Sequence, residues 1–149
     1  MLVENLLEVP FPPEKAAEWA LERGARGPYG TDMEKLLELA SAEWGFKVEK
    51  KELFSAPVFK KSAVIINVSG DISEKKGIFS TGGHYVMAIF SLGETVAVLD
   101  PYLYSGKYSG TYRRAFARER DGIVYTTAEA LSLDSRGRTP PFYEVTALG

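Results

Sequence analysis

The chain contains no cysteine and a single histidine, His84. The first absence excludes disulfides, thiolate metal sites and thiol nucleophiles from these 149 residues. The second argues against zinc, whose protein sites usually draw on several His or Cys ligands. No metal and no cofactor is therefore expected. No apolar run approaches the ~20 residues of a membrane span, so no membrane span is expected. The opening Met1-Leu2-Val3-Glu4 lacks the basic region and apolar core of a signal peptide. There is no excess of either charge: 18 basic and 20 acidic side chains leave a net −2, too little to draw the chain to nucleic acid or to an anionic surface. Repeats and low-complexity segments are missing as well.

What remains is ordinary globular material, 45% hydrophobic and 26% charged. The length fits one domain over residues 1–149, long enough to bury roughly two-thirds of its unfolded surface.

The first half reads as helical. Pro12 and Pro13 suit a helix start, and Ala17, Ala20, Leu21 and Gly24 follow the i, i+3, i+4, i+7 spacing of a buried stripe. Thr31 and Glu34 form a capping-box pattern for a second helix. Met33, Leu36, Leu37, Ala40 and Trp44 make its inner face, and Gly45 ends it. Trp19 and Trp44 fall on helix faces, as core residues do.

The second half reads as strands. Ser62 to Val68 holds a continuous β-branched run, as in a central strand covered on both faces. Tyr85 to Phe90 and Thr95 to Leu99 are two further apolar runs, joined around Ser91-Leu92-Gly93 as a three-residue hairpin loop. Residues 101–122, rich in Gly, Tyr, Arg and Ser, read as a long excursion. Thr127 to Leu131 reads as one or two helical turns and Phe142 to Val145 as a last strand. Helices first and an antiparallel sheet afterwards give an α+β domain.

The hairpin carries a chemical implication. With Ser91-Leu92-Gly93 as its loop, Phe90 closes against Glu94, and counting back sets His84 opposite Asp100. Cross-strand neighbours have Cβ atoms ~5 Å apart on one face. A carboxylate beside an imidazole fixes its tautomer and stabilises its protonated form, the usual support of a catalytic base. The same contact also occurs as a purely structural pair. A slip of one residue would put the two on opposite faces. Gly82 and Gly83 leave room beside the ring.

Gly82-Gly83-His84-Tyr85, a hydrophobic strand, a tight turn, a second strand and then Asp100-Pro101 resemble the His and Asp/Asn half of a papain-like cysteine peptidase. The subgroup resembled is that of the bacteriocin-processing (double-glycine leader) peptidases and their bacterial relatives. Glu14 to Gly24, Tyr29-Gly30-Thr31 and Leu36 to Val48 resemble the segment between that family's nucleophile helix and its sheet. Asp100-Pro101-Tyr102 through Gly106-Lys107-Tyr108, Ile123-Val124-Tyr125 and Arg138-Thr139-Pro140-Pro141-Phe142-Tyr143 resemble its later part. The resemblance implies a papain-like fold with an antiparallel sheet packed against N-terminal helices. It implies a cysteine peptidase or amide-bond hydrolase acting on a peptide or protein, with His84 as base and Asp100 as its orienting residue. Gly82, Gly83, Tyr85 and Tyr102 become candidates for the substrate groove.

The family's nucleophile lies in a Cys-Gly-Pro motif that opens a long helix, and here the chain holds only Met1 to Leu7, resembling that helix's second half. The expectation is a domain truncated at its N-terminus and inactive as written. A rival alignment sets Arg26, before Gly27-Pro28, in the place of the Cys, but the segment after Gly45 matches the family's downstream part better. Three alternatives follow: a hydrolase whose Cys lies upstream, a catalytically silent domain that binds a peptide or protein, and a homodimer that covers residues 1–7.

Other features are weaker. Arg113, Arg114, Arg118 and Arg120 are interrupted by Glu119, which suits a solvated loop better than a nucleic-acid site. Tyr102, Tyr104, Tyr108 and Tyr112 fit either a groove lining or a loop packed on its own rings. Asn67-Val68-Ser69 matches the glycosylation pattern by chance, at the end of a core strand.

Overall fold

A computed structural model of the chain describes residues 1–28, 30–110 and 112–148. Three helices come first: α1 (Leu2–Leu7), α2 (Pro13–Glu22) and α3 (Met33–Trp44). A two-residue pair, β1 (Arg26–Gly27) with β2 (Gly30–Thr31), separates α2 from α3. Then follow β3 (Phe46–Lys51), β4 (Ser62–Val68), β5 (His84–Leu92) and β6 (Thr95–Leu99). A 3-10 turn over Tyr112–Ala115 leads to β7 (Arg118–Arg120), β8 (Ile123–Thr127), α4 (Ala128–Asp134) and β9 (Phe142–Ala147). Tyr29, part of the resemblance motif, lies outside the described residues.

Strands β3 to β9 form one antiparallel sheet in the order β3-β9-β4-β5-β6-β8-β7. The α+β expectation holds. The last strand does not sit at an edge: β9 is inserted between β3 and β4. Both edges are charged, β3 by Lys47, Glu49, Lys50 and Lys51 and the short β7 by Arg118, Glu119 and Arg120. Such edges resist pairing with another chain.

Each face of the sheet carries its own core. Val64, Ile66, Val68, Val86, Ala88, Val96, Val98 and Val124 pack on one face against Ala130 and Leu131 of α4 and against Ile78, Phe79 and Tyr108. Ala63, Ile65, Met87, Ile89, Ala97, Tyr143 and Val145 pack on the other against Val3 and Leu6 of α1 and Leu37 and Ala40 of α3. A strand covered on both sides needs apolar residues at every position, which is why β4 reads as a continuous run. Phe11, Trp19 and Trp44 stack at the margin of the helical side, with ring centroids 5.1 and 4.9 Å apart.

Several local expectations are corrected. Asp32, not Thr31, caps α3: its side chain accepts from Lys35 N at 3.2 Å, while Thr31 is already in β2. Gly45 does end α3, in the left-handed conformation at φ 70°. Leu21 is exposed, and Ala20 is the one buried residue of α2, because α2 lies at the rim, where its Trp19 packs on Trp44 of α3, rather than across the sheet. The segment 101–122 is not irregular throughout, since it contains β7. Phe46 to Lys51 is a strand although its sequence is mostly charged.

The central hairpin also differs from expectation. Its turn is Gly93-Glu94, with Leu92 paired to Thr95, Ser91 to Val96 and Phe90 to Ala97. Gly93 at φ 60° supplies the left-handed residue that the first central position of such a two-residue turn requires. Ladder pairing then shifts: Ala88 faces Val98 and Met87 faces Leu99, leaving Ile89 as a bulge.

Candidate functional site

His84 opens β5, and its backbone pairs with Val68 at the end of β4. Asp100 follows β6 directly. With the shorter turn alone, the two would fall on opposite faces. The bulge at Ile89 restores the parity, so that even-numbered residues again face even-numbered ones and His84 and Asp100 share the face of Val86 and Val98. His84 Nε2 lies 3.0 Å from Asp100 Oδ1. The expected pair is therefore present, reached by a register two residues from the one counted.

Asp100 has a side chain out of contact with solvent and four donors around it. Besides His84, Tyr102 N donates to Oδ1 at 2.9 Å. Lys107 Nζ and Tyr108 OH each donate to Oδ2 at 2.7 Å. Burial by itself would raise the pKa of this carboxyl. The hydrogen bonds from His84, Lys107, Tyr108 and the Tyr102 backbone outweigh it and hold the group well below the usual carboxylate range. An ionised carboxylate only accepts, so the proton shared with His84 sits on Nε2. Nδ1 has no hydrogen-bond partner among the described residues, leaving its lone pair for another group. The same contact works oppositely on Tyr108, whose hydroxyl is pushed far up by burial and by its bond to the Asp100 charge.

The loop that delivers His84 is fixed from behind. Asp134, at the end of α4, is fully buried and accepts from Lys75 Nζ at 2.9 Å, Ile78 N at 2.9 Å and Phe79 N at 3.1 Å. Its carbonyl takes Ser69 N and Ser69 Oγ at 2.7 and 2.9 Å. Lys75 Nζ also donates to Gly70 O, Gly77 N to Asp71 Oδ1, and Arg113 Nε to Ile78 O. Arg113 is thus buried structure, which corrects its place in a solvated cluster; Arg114, Arg118 and Arg120 are exposed. At Gly77 a Cβ would meet Ser80 O at 1.8 Å, so the loop closes only on glycine.

The groove candidates divide. Tyr102 is exposed, with its ring 6.4 Å from that of His84 in a T-shaped arrangement. Gly82 is open, with nothing within 4 Å of a Cβ. Gly83 is tight: Arg138 Nη2 lies 2.2 Å from where its Cβ would stand, and that nitrogen donates to Val68 O at 3.2 Å. Tyr85 alternates away from His84 and packs with Met87 and Ile89 on the helical face. An open cleft of about 800 Å³ runs along Tyr104, Lys107, Tyr108, Arg114 and Arg118, and neither His84 nor Asp100 is among its described lining residues.

Lys107 and Arg138 stood in the sequence only as parts of the resemblance motifs, and neither they nor Asp134 were expected as site residues. Lys107 and Tyr108 follow Asp100 by seven and eight residues in an irregular loop, where no period connects them. Asp134 offered no signal, since the helical turns read from the sequence ended at Leu131, whereas α4 runs on to Asp134. Among the described residues no group of three or more His, Asp or Glu could hold a metal ion.

No family model matches the chain, and no curated protein matches its sequence.

Proposed function

We propose that this chain is the His–Asp half of a papain-like cysteine hydrolase that cleaves amide bonds in a peptide or protein. The observation that supports it is the pair itself. His84 Nε2 is held at 3.0 Å by the buried Asp100 carboxylate, with Nδ1 left for a nucleophile. On this reading a thiol reached from outside these residues gives its proton to Nδ1 and attacks the carbonyl, and the imidazolium then protonates the leaving amine. Asp100 stabilises the imidazolium without taking its proton.

Intact mass and N-terminal sequencing of the protein from its source cells test this reading. The expected result is a cysteine in a segment preceding residue 1, one to three helical turns upstream of α1. In that protein His84→Ala should lower amide hydrolysis by roughly 10²–10⁴-fold. A native protein without cysteine, inert toward peptides, would overturn the hydrolase. It would leave the second reading, a silent domain that binds a peptide, which the absence of any cysteine in these residues favours.

A further inference from the structure

Lys107 is an ammonium with almost no solvent. Its side chain is 1% exposed, and Nζ lies 5.5, 5.6 and 5.5 Å from the ring centroids of Tyr102, Tyr104 and Tyr108. A charge so enclosed must be paired. Nζ donates to Asp100 Oδ2 at 2.7 Å and to the Tyr102 carbonyl at 2.9 Å. The carboxylate is thereby divided. Oδ2 is taken by Lys107 and Tyr108, and Oδ1 by His84 and the Tyr102 N–H. A carboxylate gripped on one oxygen cannot rotate to offer the other, and the loop that carries Lys107 is tied to Asp100 at both Tyr102 and Tyr108.

We propose that Lys107 is a positioning residue for His84: by gripping Asp100 Oδ2 it fixes Oδ1 on the imidazole, keeps the proton on Nε2 and leaves Nδ1 as the basic nitrogen. The catalytic meaning of this rests on the hydrolase reading, whereas the tautomer and its control by Lys107 do not. The groups that face the pair are Tyr102, Tyr108 and Lys107.

His84 is the sole histidine, so its ring nitrogens give unambiguous signals in the 15N-labelled full chain. In its neutral ring the wild type should show a protonated Nε2 and a pyridine-like Nδ1. In Lys107→Met the Nδ1–H form should become visible beside it. Where Lys107→Met fails to fold, Tyr108→Phe decides: it removes one donor from the same oxygen without removing charge, and should raise the Nδ1–H share by less. A tautomer ratio equal to wild type in the folded variant would overturn the assignment. A native protein shown to lack any thiol would end the hydrolase reading and leave this result standing.

Discussion

Lys75 Nζ lies 2.9 Å from Asp134 Oδ1, and the two side chains are 7% and 0% exposed. The pair joins the loop before His84 to the end of α4. Removing one member of a buried pair strands the other charge, which typically costs 3–5 kcal/mol, roughly. Asp134→Ala also strands the N–H groups of Ile78 and Phe79. Urea unfolding should therefore show a loss of about 3–5 kcal/mol for Asp134→Ala and less for Lys75→Met. A cost below about 1 kcal/mol for Asp134→Ala would mean that water replaces the carboxylate, and that the loop is held some other way.

Gly83 and Arg138 make a second test. Alanine at 83 puts a methyl 2.2 Å from Arg138 Nη2 and must displace either the guanidinium or the backbone that carries His84. The expected cost of Gly83→Ala is about 1–3 kcal/mol, as for other overpacking. Because the clash is with one side chain, Arg138→Ala should absorb most of it, giving a coupling above about 0.5 kcal/mol in the double-mutant cycle. Additive effects would place the strain in the backbone instead.

The cap of α3 separates two neighbouring residues. Asp32→Ala should cost about 1 kcal/mol, since its carboxylate accepts the Lys35 N–H. Thr31→Ala should be within about 0.5 kcal/mol of wild type, as for an exposed position away from such a feature. Equal costs would return the cap to Thr31.

Asp100 and Tyr108 set opposite ends of the pH profile. The folded pKa of Asp100 is depressed, so its contribution is present above the unfolded value near ~4 and lost as pH falls toward the folded one. The folded pKa of Tyr108 is raised, so its contribution is complete below the unfolded value near ~10 and lost as pH rises beyond it. Urea midpoints of Asp100→Asn should fall less than wild type on acidification below about pH 4. Tyr108→Phe should fall less on alkalisation above about pH 10. Parallel curves for wild type and variants would refute the assignment.

Local rules carried much of this fold. α3 was readable because its apolar stripe and closing glycine agree, and β4 because a strand covered on both faces has no polar position to blur the pattern. The hairpin was legible as a hairpin but not in register. Nothing distinguishes Ser91 and Leu92 as strand rather than loop, and a bulge at Ile89 changes no residue type. His84 and Asp100 met as expected because two differences, a shorter turn and a bulge, left their parity intact. β3 escaped because its outer positions are charged edge residues, and its partner β9 comes almost a hundred residues later. Lys107 escaped for a different reason. Its meaning lies in what encloses it, and three tyrosines around an ammonium have no linear spacing.

The place of β9 has a consequence for how the molecule is made. Its residues pair with β3 on one side and β4 on the other, and send Phe142 to one core and Tyr143 and Val145 to the other. During synthesis, everything up to residue 141 can emerge with the sheet still parted down a seam, two unpaired edges facing each other. Neither core can be sealed before residue 147 leaves the ribosome. The keystone arrives last, and a nascent chain halted just short of it presents two open strands to any chaperone or neighbour within reach.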